Sequence, residues 1–235
     1  MQAVILAGGL GTRLRPLTQT VPKVLVPVAG RPFVDWLLGT LPREIFSEVL
    51  FLLGYLGDQV RSYCGDGSRY GFAVRYSQEP EPLGTAGALR YAAEQLQESF
   101  VLLNGDTYIQ VDYAALLHAH RAQGRIGTMV VVPAGLVMVP PNVQVKETGQ
   151  IVKYVKGSDG EAELNATDAG VVVLEKRVLE FIPAGRKIGL EEAVFASLAA
   201  AGELAGFIMP QPFYDMGTPE GLQRIEKFLC IKKGL

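Results

Sequence analysis

The sequence predicts an α/β fold in which helices cover both faces of a mixed, mostly parallel β-sheet. Short apolar runs of strand length alternate with amphipathic stretches of helix length through the first half of the chain. After residue 112 the alternation changes, and a segment with the pattern of a β-hairpin interrupts it. A chain of 235 residues, 49% of them hydrophobic, is long enough to enclose one such core.

The elements of the first half follow from the apolar spacing. Buried strands are predicted at residues 3–6, 49–53, 73–77 and 100–103. Helices that connect them are predicted at residues 34–41, 58–63 and 85–96. The polar stretches and glycines between these runs predict short connecting turns.

The second half has the same kinds of element in a different order. A helix is predicted at residues 113–123, a strand at 128–132 and a hairpin whose strands are 143–146 and 151–155. A buried strand at 169–174, a helix at 191–201, a strand at 207–209 and a helix at 219–231 complete the chain.

The charge and the cysteines limit the partners and the compartment. Lysine and arginine total 22 against 24 acidic residues, so no overall basic field exists to hold a nucleic acid. The two cysteines lack the spacing of a metal site or a disulfide scaffold, which favours the cytoplasm. The first apolar run is too short for a signal peptide, and prolines and a glycine break the longest later one, so no membrane partner is expected.

A glycine-rich turn follows the first predicted strand. Gly8, Gly9 and Gly11 allow the backbone to approach phosphate oxygens closely and to point its N–H groups at them. Arg13 and Lys23 supply the cations that a triphosphate requires. The turn lacks the ending of a P-loop and the third glycine of a dinucleotide fingerprint. A local phosphate site of another type is therefore expected, with solvated surface cations as the alternative role for Arg13 and Lys23.

The sequence around this turn resembles the signature of the sugar nucleotidylyltransferases. The resemblance is carried by GGLGTRLRPLT at residues 8–18 and PKVLVPVAGRP at 22–32. It continues in EPLGTAGAL at 81–89, LNGD at 103–106, DAG at 168–170 and YDMGTPE at 214–220. Within the family, the chain looks most like the short enzymes that act on mannose-type or heptose 1-phosphates.

The resemblance implies a Rossmann-like three-layer α/β/α domain, the nucleotide-diphospho-sugar transferase fold, over residues 1–235. It implies a nucleotide-binding half at 1–112 and a sugar-binding half at 113–235. The reaction that it implies joins a nucleoside triphosphate, GTP favoured, to a sugar 1-phosphate with release of pyrophosphate and with Mg²⁺ as cofactor. A homo-oligomer is compatible with the sequence.

The same resemblance assigns roles to individual residues. The catalytic residues would be Arg13, Lys23 and Asp106, and the metal would be held by Asp106 and Asp215. The nucleotide would be bound by Leu6, Ala7, Gly8, Gly9, Gly11, Thr12, Glu79, Glu81, Gly84 and Thr85. The sugar phosphate would be bound by Gly105, Lys156, Asp168, Gly170 and Glu191. As alternatives, Asp106 would cap a turn or helix and Asp215 would cap the last helix.

One departure concerns the sugar phosphate. Relatives carry a Glu-Lys pair after the hairpin strand, whereas this sequence reads Tyr-Val-Lys-Gly at residues 154–157. Lys156 therefore stands one residue early, and a shift of one residue in a strand reverses the direction of its side chain. A plain surface lysine remains the alternative.

The base is the other open point. Aligned on Gly84 and Thr85, the family's base-reading glutamine falls at Glu79. Two carboxylate oxygens can accept from the adjacent donors of guanine, which favours GTP. In the alternative, Glu79 and Glu81 face solvent and Gln78 reads a pyrimidine, as in a uridylyl- or thymidylyltransferase.

Two other classes of function fit the sequence less well. A non-catalytic nucleotide- or sugar-binding regulator would not need the cations and carboxylates that are all present here. A glycosyltransferase on a similar scaffold usually carries a DxD motif, which the Asp-Thr-Tyr at residues 106–108 does not match. The two histidines, His118 and His120, stand two residues apart on one predicted helix, so they face in different directions and are not expected to bind a metal together.

Overall fold

A mixed β-sheet of nine strands forms the centre of the protein. The computed structural model describes residues 1–157 and 163–233. In that part of the chain the strands are β1 (Gln2–Ala7), β2 (Pro27–Val28), β3 (Arg31–Pro32), β4 (Glu48–Leu53), β5 (Ala73–Gln78), β6 (Ser99–Asn104), β7 (Thr107–Tyr108), β8 (Gly127–Pro133), β9 (Val143–Val145), β10 (Ile151–Tyr154), β11 (Ala166–Glu175), β12 (Leu204–Ile208) and β13 (Tyr214–Asp215).

The strand order confirms the predicted mixed, mostly parallel sheet. β6, β1, β4 and β5 lie side by side and run parallel. β11 pairs antiparallel with β6, and both β8 and β9 pair antiparallel with β11. β12 runs parallel to β8, and β10 runs antiparallel to β9. Of the nine strands, only β10 and β11 therefore run against the common direction.

Helices pack on both faces of the sheet, as predicted. They are α1 (Phe33–Leu38), α2 (Gly57–Cys64), α3 (Gly84–Tyr91), α4 (Tyr113–Gln123), α5 (Ala196–Ala200) and α6 (Pro219–Lys233). Alternate residues of β1 belong to separate cores: Ile5 packs with α1, α4 and α6, and Val4 packs with α3 and α5. Among the described residues, no helix is long and apolar enough to cross a membrane.

The third helix ends earlier than the predicted residue 96. α3 ends at Tyr91, and a short 3₁₀ turn follows at Ala93–Gln95. The side-chain amide of Gln2 donates to the carbonyl of Gln95 at 2.8 Å and accepts from the N–H of Gln97 at 3.0 Å. This buried glutamine holds the chain to β1 at the point where a longer helix would continue.

Several elements of the second half differ in detail from the prediction, and β12 begins at Leu204 instead of residue 207. The helix predicted at residues 191–201 begins as a π-helical turn, Leu190–Phe195, and becomes α-helical only at Ala196. β11 begins at Ala166, three residues before the predicted strand, and its pairing with β8 is irregular between Asp168 and Val172. Both irregularities lie beside the cleft described below.

Candidate active site

The glycine-rich turn after β1 folds back on itself. Gly11 has a φ of 59°, in the left-handed region, and a Cβ there would lie 2.9 Å from the side chain of Thr18. The Thr18 hydroxyl donates to the Gly11 carbonyl at 2.7 Å. Only glycine fits this conformation without strain. The turn leads into the 3₁₀ segment Thr12–Leu14, which presents Arg13.

Lys23 and Asp106 meet at the carboxyl end of β6. The Lys23 ammonium forms an ion pair with Asp106 Oδ2. Gly105 holds the strand end against β1, since its N–H donates to the Leu6 carbonyl at 3.0 Å. Asp106 therefore follows a buried strand at the edge where ligands bind in open α/β sheets. It does not cap the next helix, because Asp112 accepts the N–H of Ala115 in α4.

Asp215 is brought to the same place by a two-stranded ribbon. It pairs with Thr107 in the β7–β13 ribbon, and the N–H of Met216 donates to the Asp106 carbonyl at 3.0 Å. Its Oδ1 accepts the N–H of Gly217 at 2.6 Å. α6 is capped instead by Thr218, whose hydroxyl accepts from Gly221 at 3.0 Å.

The pKa of Asp215 depends on three charged neighbours, Asp106, Lys23 and Arg13. Burial raises the pKa of the Asp215 carboxyl, and the neighbouring Asp106 carboxylate raises it further. Lys23 and Arg13 act in the opposite direction on the same pKa. Arg13 is close: a Cβ built on Gly217 would lie 2.9 Å from the Arg13 guanidinium and from Asp215 Oδ1.

The two carboxylates suit a divalent cation of the magnesium type. Mg²⁺ prefers a site with one or two protein carboxylates and completes its shell with phosphate oxygens and water. Asp106 and Asp215 repel each other's negative charge, which a cation between them would relieve. Among the described residues, no group of three or more His, Cys, Asp or Glu could hold a metal. The two carboxylates therefore fit a cation that takes its remaining ligands from phosphate oxygens or water.

A cleft of about 390 Å³ opens next to this charged cluster. It is lined by eleven of the predicted site residues, namely Leu6, Ala7, Gly8, Gly9, Lys23, Glu79, Gly84, Thr85, Gly105, Asp106 and Glu191. Asp168 and Gly170 line a smaller adjoining cavity that shares Leu6, Asn104 and Glu191 with the cleft. Gly11, Thr12, Arg13, Glu81, Lys156 and Asp215 line neither.

Glu79 lines the cleft. Its Oε2 accepts the N–H of Leu83 at 3.0 Å, and its Oε1 lies over the backbone of Gly8 and Gly54. Burial raises the pKa of its carboxyl, while the charge of Lys187 lowers it. Glu81 is exposed. Gln78 contacts Gly57 at the start of α2 and does not line the cleft.

Asp168 is held in the irregular part of β11. It accepts the N–H of Gly170 at 2.8 Å and the hydroxyl of Tyr154 at 3.1 Å, and its own N–H donates to the Asn142 side chain at 2.9 Å. Burial raises the pKa of its carboxyl to about 6, and the nearby Glu191 acts in the same direction.

Lys156 is not brought to the cleft. Its ammonium lies 2.9 Å from Glu192 Oε1, and both side chains are more than half exposed. The lysine of the second half that lines the cleft is instead Lys187, in the loop before Leu190. Lys187 and Tyr55 line the cleft but lie in no matched motif, so the sequence did not predict them as site residues. Asn104 also lines the cleft and lies within a matched motif, but no role was predicted for it.

The two histidines lie on different faces of α4, as their spacing predicts. His120 is buried between Thr128, at 2.9 Å, and Glu175, at 2.8 Å. His118 is exposed on another face of α4.

Comparisons with known proteins agree with this architecture. The nucleotidyl transferase family model matches residues 2–231. A mannose-1-phosphate guanylyltransferase of Mycobacterium tuberculosis is 34% identical over 95% of this chain and 63% of its own length. A D-glycero-alpha-D-manno-heptose 1-phosphate guanylyltransferase of Aneurinibacillus thermoaerophilus is 29% identical over 97% of this chain and 98% of its own. A UTP–glucose-1-phosphate uridylyltransferase of Synechocystis is 32% identical over 86% of this chain and 56% of its own.

A solved structure shares this fold along nearly the whole chain. HddC from Yersinia pseudotuberculosis, whose structure was also solved in complex with GMP-PN, superposes with a TM-score of 0.83 at 25% identity, over 97% of this chain and 99% of its own. This chain spans only about 60% of the length of the mannose and glucose relatives that it matches. With a family model that covers residues 2–231 and a fold shared with HddC, the chain belongs to the nucleotidyl transferase family.

Proposed function

We propose that the protein transfers a nucleoside monophosphate from a nucleoside triphosphate to a sugar 1-phosphate and releases pyrophosphate. The observation that carries this proposal is the cluster at the end of β6, where Lys23 pairs with Asp106 while Arg13 and Asp215 lie beside them. The glycine-rich turn at residues 8–11 adjoins the same cleft. A reaction between two polyanions requires such fixed cations and carboxylates next to a backbone that phosphates can approach.

The chemistry is an in-line substitution at the α-phosphorus. A phosphate oxygen of the sugar 1-phosphate forms the new P–O bond, and the bond to the bridging oxygen of the β-phosphate breaks. The electron pair leaves with pyrophosphate. Because the second pKa of a phosphate monoester is about 6, the nucleophile is already ionised near neutral pH and requires no general base.

The residues of the chain position and neutralise the phosphates. Lys23, a point charge at the floor of the cleft, suits the triphosphate oxygens, and the fork of Arg13 suits the leaving pyrophosphate. Asp106 and Asp215 would hold Mg²⁺, which would neutralise the α-phosphate and polarise it toward attack.

The cleft divides between the two halves of the chain. Residues 1–112 supply the turn, Glu79, Gly84 and Thr85, and we assign nucleotide binding to this half. Residues 113–235 supply Asp168, Gly170 and Glu191, whose oxygens and N–H groups suit sugar hydroxyls, and we assign the sugar phosphate to this half. The cleft and its adjoining cavity share Glu191 and Asn104, so the two substrates would meet there.

GTP and a mannose- or heptose-type 1-phosphate are the substrates that we favour. The carboxylate of Glu79 inside the cleft supports guanine, and the mannose- and heptose-1-phosphate guanylyltransferases among the relatives support the same pair. The uridylyltransferase relative supports a second candidate, uridylyl transfer to a hexose 1-phosphate. We also place the enzyme in the cytoplasm, which its two free cysteines favour.

A turnover screen tests the proposal. The protein is incubated with each of GTP, UTP, dTTP and CTP, with Mg²⁺ and with mannose, heptose or glucose 1-phosphate, and the release of pyrophosphate is measured. We expect release only when both substrates are present and none after EDTA treatment. Arg13→Ala should lower the rate without changing the melting temperature. Absence of pyrophosphate with every pair would contradict the proposal.

A further inference from the structure

A second, cationic pocket lies at the opposite edge of the sheet from the cleft. It has a volume of about 360 Å³ and is flanked by α1 and by the loops that enter β4 and β5. The cleft adjoins the carboxyl ends of β1 and β6, whereas this pocket adjoins the amino ends of two strands that run parallel to them. The two share no lining residue.

Three guanidinium groups converge on this pocket. They belong to Arg31, Arg43 and Arg69, and the acid that lines the pocket is Asp35. Three positive charges against one negative charge leave an excess of two. The chain as a whole carries a formal charge of -2, so this concentration of positive charge is local.

Asp35 cannot balance the three arginines. Its two oxygens already accept the hydroxyls of Tyr63, at 2.8 Å, and Tyr70, at 2.7 Å. The guanidinium of Arg69 lies 3.7 Å from Asp35 Oδ1, beyond hydrogen-bond distance, and covers the rings of both tyrosines. Asp35 therefore neutralises Arg69 at most.

Arg31 and Arg43 have no carboxylate partner within residues 1–157 and 163–233. Arg31 lies over the ring of Trp36, 3.5 Å from its centroid, and its buried Nε has no hydrogen-bond partner. Arg43 lies against the main chain of Gly71, where a Cβ would approach its Nε to 2.9 Å. Each guanidinium group thus lies against a neighbouring group, Trp36 or Gly71, while its charge remains unbalanced.

We propose that this pocket is a second anion site, which binds a phosphate group far from the reacting atoms. The guanidinium fork matches phosphate oxygens in pairs, and the excess of two positive charges matches a phosphate dianion. The volume admits a phosphate with a small group attached. Arg69 already covers one face of each of the Tyr63 and Tyr70 rings, so a nucleobase could stack on that face only by displacing it. The ligand that suits this pocket is therefore inorganic phosphate or a small phosphorylated metabolite.

The only tryptophan of the chain is a built-in reporter for this site. Trp36 lies directly beneath Arg31, so an anion on that guanidinium should change its emission. We would titrate the whole protein with inorganic phosphate or with glucose 6-phosphate, at an ionic strength held constant with NaCl. The expected result is a saturable change in Trp36 emission, and the ligand that binds more tightly identifies the source of the phosphate.

Variants separate this site from the cleft. Arg43 is exposed and belongs to no core, so Arg43→Gln should fold normally and bind at least tenfold more weakly, whereas Arg43→Lys should retain part of the affinity. Arg13→Ala alters the charged cluster beside the cleft and should titrate like the wild type. A wild type without a saturable change for either ligand, or an Arg43→Gln protein with unchanged affinity, would overturn the proposal. Both outcomes are independent of whether pyrophosphate is released in the turnover screen.

Discussion

Lys23 and Asp106 form an ion pair at the carboxyl end of β6, although 83 residues separate them in the sequence. Their side chains are only 13% and 30% exposed, so water screens the pair less than it screens an ordinary surface pair. Lys23 comes from a 3₁₀ turn and Asp106 from a strand end, so only the folded chain brings them together. The pair places a cation and a carboxylate where two polyanionic substrates would meet.

The carboxylate pair should matter for catalysis far more than for folding. Because burial and Asp106 raise the pKa of Asp215, the site stores charge repulsion that a metal would relieve. We expect Asp106→Ala and Asp215→Ala to lower kcat about 10²- to 10³-fold at saturating Mg²⁺, the range for removing one electrostatic stabiliser. Pyrophosphate release and thermal melting measure the two effects separately.

Asp58→Ala is the matched control, since Asp58 is exposed in the first turn of α2 and does not line the cleft. Its turnover should equal that of the wild type. If Asp106→Ala keeps near-normal turnover, the metal assignment is wrong.

Lys187 and Lys156 should differ in their effect on substrate binding. Lys187 lines the cleft, whereas Lys156 pairs with Glu192 in an exposed contact worth about 0–1 kcal/mol. We expect Lys187→Ala to raise the KM of a substrate at least about fivefold, because one charge-assisted contact contributes more than 1 kcal/mol. Lys156→Ala should change both KM values less than twofold. The reverse order would show that Lys156 moves into the site when the sugar phosphate binds.

The sequence predicts the parallel half of this fold and most of the cleft, because those features depend on local pattern. Apolar alternation marks β1, β4, β5 and β6 within a residue or two, and eleven of the predicted site residues line the cleft. The ribbon of β7 and β13 was not predicted, since two-residue strands leave no periodicity. The early end of α3 depends on Gln2, which is 93 residues from Gln95. Lys187 reaches the cleft through a loop without a motif. Such long-range contacts have no signal in a short window of sequence.

Asp168 should make the stability of the protein depend on pH in the acid range. Its carboxyl has a pKa of about 6 in the folded state, against 3.8 for the unperturbed group. The native state therefore binds the proton more tightly than the unfolded chain, and the free energy of unfolding falls as the pH rises from about 4 to about 6. Asp168→Asn removes this contribution, and its amide can still accept from Gly170.

We therefore expect the variant to become more stable relative to the wild type as the pH rises. Between pH 4 and pH 7, its unfolding free energy should increase by about 2 kcal/mol relative to that of the wild type. Urea unfolding at these two pH values measures it. Asp215 and Glu79, whose pKa values are also raised, are unchanged in the variant and cancel in the difference. Parallel pH profiles for the two proteins would show that Asp168 ionises normally.

The preference for the base is the last prediction, and we expect Glu79 to determine it. Its Oε2 holds the N–H of Leu83, and a carboxylate has about four lone-pair positions, so both oxygens can still accept from a ligand. Guanine offers two adjacent donors, whereas uracil would place a carbonyl against one oxygen at a cost of about 1–3 kcal/mol. Since about 1.4 kcal/mol corresponds to tenfold, we expect kcat/KM for GTP to exceed that for UTP, dTTP and CTP at least tenfold. Glu79→Gln should reduce this preference, because an amide offers one donor and one acceptor, while Glu81→Gln, at an exposed neighbouring position, should leave it unchanged. A wild type that prefers UTP or dTTP would exclude guanine reading by Glu79 and leave nucleotidyl transfer itself untouched.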